Sequence, residues 1–99
     1  MLKLKCKNND EFNDYFFSVN SDHDFIYKNI IESIELAYAA KEEIARFAEI
    51  TFIYGDIITL DTPREDWLEN LTNTLRYYES REQYEKCHRI VKLIDKISV

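Results

Sequence analysis

Two apolar stripes near the end of the chain restrict its architecture more than any other feature. Trp67, Leu68, Leu71, Leu75 and Tyr78 recur at helical spacing, and so do Tyr84, Cys87, Ile90, Val91, Ile94 and Ile97. A helix that is apolar along one side has to cover that side with something else. Thr62-Pro63-Arg64-Glu65 predicts the start of the first helix, with Thr62 as the cap, Pro63 at the first helical position and Glu65 completing a capping box. Glu65 and Asp66 also suit the positive end of the helix dipole. Glu79-Ser80-Arg81-Glu82 is polar and lacks an apolar anchor, so it is the predicted corner, with Ser80 placed to cap the second helix. No glycine marks that corner, which leaves a single bent helix as the alternative. A short connection between two stripes favours antiparallel neighbours, so residues 62–97 read as a helical hairpin.

The chain before it reads in shorter pieces. Met1 to Lys7 alternates, with Leu2, Leu4 and Cys6 on one side and Lys3, Lys5 and Lys7 on the other, the pattern of a strand whose lysines discourage edge pairing; a frayed terminus is the alternative. Asn8-Asn9-Asp10 signals a turn. Phe12, Tyr15 and Phe16 fit a short helical piece within Glu11 to Val19, with core packing favoured over an exposed anchor. Ser21 and Asp24 resemble another capping arrangement. Phe25 to Lys41 follows as a helix with Ile26, Ile30, Ile34, Ala37 and Tyr38 on one face, widened by Tyr27 and Ile31, while Lys28, Glu32 and Glu35 face out. Ile44 to Tyr54 is rich in branched and aromatic residues. Its alternation groups Ile44, Ala48, Ile50, Phe52 and Tyr54, and Glu49 to Leu60 reads as a β-hairpin around Tyr54-Gly55-Asp56; a helix through Ala45 to Glu49 is the rival. The first strand can lie beside this hairpin in a three-stranded sheet. The predicted fold class is α+β: three main helices, a small antiparallel β-hairpin or sheet, and a C-terminal antiparallel helical hairpin. Residues 1–99 form one domain, with residues 1–61 contributing the strand, helix and β-hairpin part.

Charge and composition narrow the function. The net charge is −6, distributed as +3 over residues 1–7, −10 over residues 8–66 and +1 over residues 67–99. A direct nucleic-acid binder needs a basic field, so that class is disfavoured. The longest apolar runs are far shorter than a membrane span, and Met1-Leu2-Lys3-Leu4-Lys5 is not followed by the apolar core of a signal peptide. Cys6 and Cys87 read as free thiols in a reducing cytosol, so the expected setting is cytoplasmic, away from membranes.

Chemistry-bearing residues are sparse. Cys87 and His88 point about 100° apart on a helix and are poorly placed to act together. Cys6, Cys87, His23 and His88 have no familiar metal-ligand spacing. The carboxylates of Asp61, Glu65 and Asp66 are explained by capping, and those of Glu32 and Glu35 by a solvated face. There is no nucleophile elbow or phosphate loop. The expectation is a protein that is not an enzyme, with no cofactor and no metal. Lys86, Arg89, Lys92 and Lys96 form a basic stripe on the last helix. Trp67, Tyr77 and Arg81, with Lys86 and Arg89, are the candidate partner-binding residues, because buried aromatic and arginine anchors dominate protein interfaces.

Tyr78, Glu82, Tyr84, Glu85, Lys86, Cys87, Ile90, Leu93 and Ile97 resemble the UVR-type helical hairpin, in which an acidic residue, an aromatic, Glu-Lys and a small residue precede a spaced aliphatic run. Cys87 and His88 stand where that family commonly has alanines. The resemblance covers residues 67–97 and implies a protein-interaction module. The size, acidity and tyrosine-rich tail also resemble the small accessory proteins of large tailed phages in style. The leading expectation is therefore a small accessory protein that binds a protein partner through its C-terminal hairpin, with a homodimer compatible. The alternative is an acidic decoy that mimics nucleic acid, motivated by the charge of residues 8–66. A third reading, an enzyme or small-ligand binder, requires a pocket between the sheet and the hairpin.

Overall fold

Alternation at the start of the chain becomes strand β1, Leu2–Cys6, which buries Cys6 and leaves Lys3 and Lys5 exposed. The computed structural model describes residues 2–17 and 23–98. Helix α1 spans Asn9–Phe17, α2 Asp24–Ala39, β2 Ile44–Phe52, β3 Ile57–Pro63, α3 Arg64–Ser80 and α4 Tyr84–Ile97. The predicted cap at Ser21 and the predicted helix end at Val19 lie outside the described residues. Asn8 caps α1, its Oδ1 accepting from the Glu11 amide at 2.9 Å.

The sheet order is β1-β2-β3. β2 and β3 pair antiparallel, whereas β1 runs parallel to β2 with Leu4 opposite Ile50. The direction follows from the chain between them: α1 and α2 form a crossover and return the chain in the same sense. The rival helix over Ala45 to Glu49 does not form, since those residues lie in β2.

Strict alternation fails once in β2. The inward residues are Ala45, Ala48, Ile50 and Phe52, while Ile44 and Tyr54 are exposed. The register shifts between Arg46 and Ala48, so Phe47 is an extra residue without a partner on β3. Such a bulge resets the inward set and places Ala45 and Ala48, three apart, on the same side.

The C-terminal ends of α2 and α3 close by the same device, without glycine. Lys41 and Glu82 adopt φ of 57° and 56°. The amides of Glu42 and Gln83 then donate back to the carbonyls of Ala37 and Tyr78 at 2.9 and 3.0 Å, the long-range bond of a Schellman motif. The corner between α3 and α4 therefore lies at Arg81 to Gln83, one to two residues later than the sequence pattern placed it. Ser80 does not cap α4; it is the last residue of α3, and its hydroxyl donates to the Tyr77 carbonyl at 2.7 Å. Thr62 does not cap α3 either. It is a buried strand residue whose hydroxyl accepts from Asn70 at 3.3 Å, and the cap position belongs to Pro63. The extended conformation that lets Pro63 finish β3 also carries Thr62 away from the first amides of the helix.

Two apolar clusters fill the interior. Ile31, Ile34 and Ala37 of α2, Trp67, Leu71 and Tyr78 of α3, and Ile90 and Leu93 of α4 close over Ala45. Cys6, Ala48, Ile50 and Phe52 form the other cluster, covered by Phe12 and Phe16 of α1 together with Phe47 and Leu60. The α3 and α4 stripes meet each other and α2 as expected, but each is rotated. Thr74 is buried in place of Leu68, and Leu93 in place of Val91 and Tyr84, which are 43% and 68% exposed. Three helices converge here, so the buried arc of each is set by two neighbours rather than one.

Candidate interaction surface

Tyr77 and Tyr78 are adjacent on α3, so only one ring can point straight inward, and Tyr78 does. Its ring is fully buried, edge-on to Tyr77 at 5.0 Å. Tyr77 turns to the rim, stacked on Tyr27 of α2 with ring centroids 4.3 Å apart. The guanidinium of Arg81 lies over the outer side of Tyr77, 4.5 Å from its centroid. Because Glu82 folds the chain back in the left-handed region, Arg81 stays exposed at the corner, with Tyr84 close behind it at the start of α4. The result is a layered tyrosine–tyrosine–arginine stack at the end of the helical hairpin.

The other predicted surface residues have different places. Trp67 is only 1% exposed and its indole N–H donates to the Thr62 carbonyl at 2.8 Å, so it belongs to the interior and leaves the surface set. Lys86 lies 3.5 Å from the Asp24 carboxylate and 4.8 Å from the Tyr78 ring. Arg89 clasps both carboxylate oxygens of Glu35 through its Nε and a terminal nitrogen. That hydrogen bond to Glu35 also raises the guanidinium pKa, holding it charged. The expected basic stripe is thus half committed to α2, and Glu35 does not face out alone. Neither acceptor could be found by spacing, because Asp24 and Glu35 are distant in sequence from α4.

Comparison with family models, curated proteins and solved structures gives no match.

Other features of the surface bear on chemistry. Among the described residues, no three His, Cys, Asp or Glu side chains gather closely enough to hold a metal ion. No helix among them is long and apolar enough to cross a membrane. An apolar groove of about 290 Å³ lies between the α1–α2 side and the sheet, lined by Phe12, Phe16, Ile26, Tyr27, Phe47 and Leu60 among others. Its lining includes His23, whose buried Nε2 has no hydrogen-bond partner among the described residues. Cys6 is fully buried, and burial, with the Glu11 carboxylate adding to it, pushes its thiol pKa up. The neutral thiol is the unreactive form. Native protein treated with iodoacetamide at neutral pH should therefore be alkylated at half-buried Cys87 well before Cys6, by peptide mass spectrometry. Equal rates would mean that the β1 side of the core is open.

The sequence pattern missed the apolar tip of the β-hairpin. Ile53, Tyr54 and Ile57 are 75%, 58% and 62% exposed. The Gly55 amide donates to the Phe52 carbonyl, and the Phe52 amide to Asp56, which closes a three-residue loop with Gly55 at φ 103°. The clue was present: an isoleucine and a tyrosine occupy turn positions where short polar residues are usual.

Proposed function

We propose that this protein is a non-enzymatic accessory module that binds a protein partner at the corner of its α3–α4 hairpin. The Tyr27–Tyr77–Arg81 stack carries this reading. Tyrosine and arginine are the residue types that dominate interface energetics. Stacking holds them in place before any partner arrives, so less side-chain freedom is lost on binding. The acidic-decoy alternative has less support. Asp61 and Glu43 lie 4.0 and 3.8 Å from Arg46 and Arg64, so cations interrupt the acidic segment. Affinity capture followed by mass spectrometry would identify the partner. Arg81→Glu should then weaken that complex by about tenfold or more, the scale of an interface hot spot. Tyr77→Ala with Arg81→Ala should remove it, while circular dichroism of Arg81→Glu stays unchanged. Full capture by both variants would overturn the assignment of this surface.

A further inference from the structure

The two edges of the sheet are built differently. The β1 edge carries exposed Lys3 and Lys5, charges that block pairing with another strand. The β3 edge has no lysine from Ile57 to Pro63, and alternate residues of an edge strand present unpaired N–H and C=O groups. Two of its exposed side chains are apolar, Ile57 at 62% and Ile58 at 42%, beside exposed Thr59 and Asp61, and the apolar run continues into Ile53 and Tyr54 at the tip. Asp61, the carboxylate on the strand, is engaged by Arg46.

We infer that the β3 edge pairs with the β3 edge of a second copy, joining two three-stranded sheets across a twofold axis. The strand is self-complementary in that arrangement. With Ile58 facing its own symmetry mate, Ile57 lies opposite Thr59 and Asp56 opposite Leu60, so no carboxylate faces another. The register keeps the inward side of both sheets on the same face, because opposed residues in an antiparallel pair share a side. It also sets the Ile53–Tyr54 tip of each copy beside the Thr62–Pro63 strand end of the other. Strand pairing covers the edge and the flanks of these side chains while their outward faces stay open, so the contact is smaller than the ~800 Å² per partner of a standard interface and gives a weak, concentration-dependent dimer. A twofold contact of this kind closes on itself, since each copy spends the one lysine-free edge of its sheet among the described residues. The opposing force is long-range repulsion between chains of net charge −6, which salt screens.

Sedimentation equilibrium of the full chain, from micromolar to sub-millimolar concentration in low and high salt, tests the inference. The expected result is a dimer whose association strengthens with salt. Ile57→Lys and, on the same exposed side, Thr59→Lys should each raise the dissociation constant by about tenfold or more while keeping the native circular dichroism. If Ile57→Lys unfolds, exposed Thr59 decides the matter. A wild-type monomer throughout the range would overturn the inference and leave the edge to a strand of another protein. So would a dimer that survives both substitutions, or one that salt dissolves.

Discussion

Trp67→Ala should cost about 3–5 kcal/mol of folding stability, the range for deleting a large buried aromatic. The side chain is fully enclosed where the end of β3 turns into α3, and it does two jobs there. Its ring fills the cluster shared by α2, α3 and α4, and its N–H satisfies the Thr62 carbonyl. Trp67→Phe separates these jobs. It keeps much of the packing but removes the indole hydrogen bond to a carbonyl that also lies opposite Ala45 in the β2–β3 ladder, for an expected cost of about 1 kcal/mol. Small domains have only about 5–15 kcal/mol in total, so the alanine variant loses a large part of its margin. Urea unfolding followed by circular dichroism would measure both. A loss below about 1 kcal/mol for Trp67→Ala would contradict burial of the ring.

Tyr78→Ala should be similarly severe, about 3–5 kcal/mol, because this fully buried ring sits where α2, α3 and α4 converge. Tyr78→Phe isolates the hydroxyl, which donates to the Asp24 backbone carbonyl at a long 3.4 Å, so its cost near neutral pH should be about 1 kcal/mol. The two variants differ more at alkaline pH. Burial, and then the nearby Asp24 carboxylate, raise the Tyr78 pKa far above its ordinary value of 10.0. Above that pH the unfolded chain releases the phenolic proton while the folded chain keeps it. The unfolded state then binds fewer protons, and stability falls as pH rises. Tyr78→Phe removes this contribution, so its stability should decline less steeply than wild type above about pH 10. Urea unfolding at several pH values between neutral and strongly alkaline would reveal it; parallel slopes would mean that Tyr78 does not couple to folding in this way.

Periodicity located the helical hairpin, the β-hairpin and the first strand because each rests on a local pattern with one dominant buried side. It failed where two neighbours compete for a residue. The bulge at Phe47 cannot be read from alternation, since a bulge is defined by the opposing strand. Thr62 looked like a cap because its spacing to Glu65 is right, yet the strand extends through it and turns its side chain toward Asn70. Site residues divide the same way. Tyr77 and Arg81 share the corner of one hairpin and were placed together by proximity in sequence. The roles of Lys86 and Arg89 depend on carboxylates of α2, which only the folded chain brings within reach. Trp67 was assigned outward on residue type alone, although its place on the apolar stripe already pointed inward.

The parallel alignment of β1 with β2 bears on the order in which the molecule assembles. Leu2 meets Ala48, so the first strand cannot dock until two helices and β2 are in place, whereas the β-hairpin and the helical hairpin close locally. β1 is also the outer strand on its side and is held in the sheet by β2 alone. Unlike β3, which a short turn ties to β2, it has no local connection to its partner strand, so it is suited to peel away while the rest stays folded. The thiol of Cys6, sealed at the seam, then serves as a gauge of that detachment, and its slow alkylation in native protein times the release of one strand rather than the collapse of the whole.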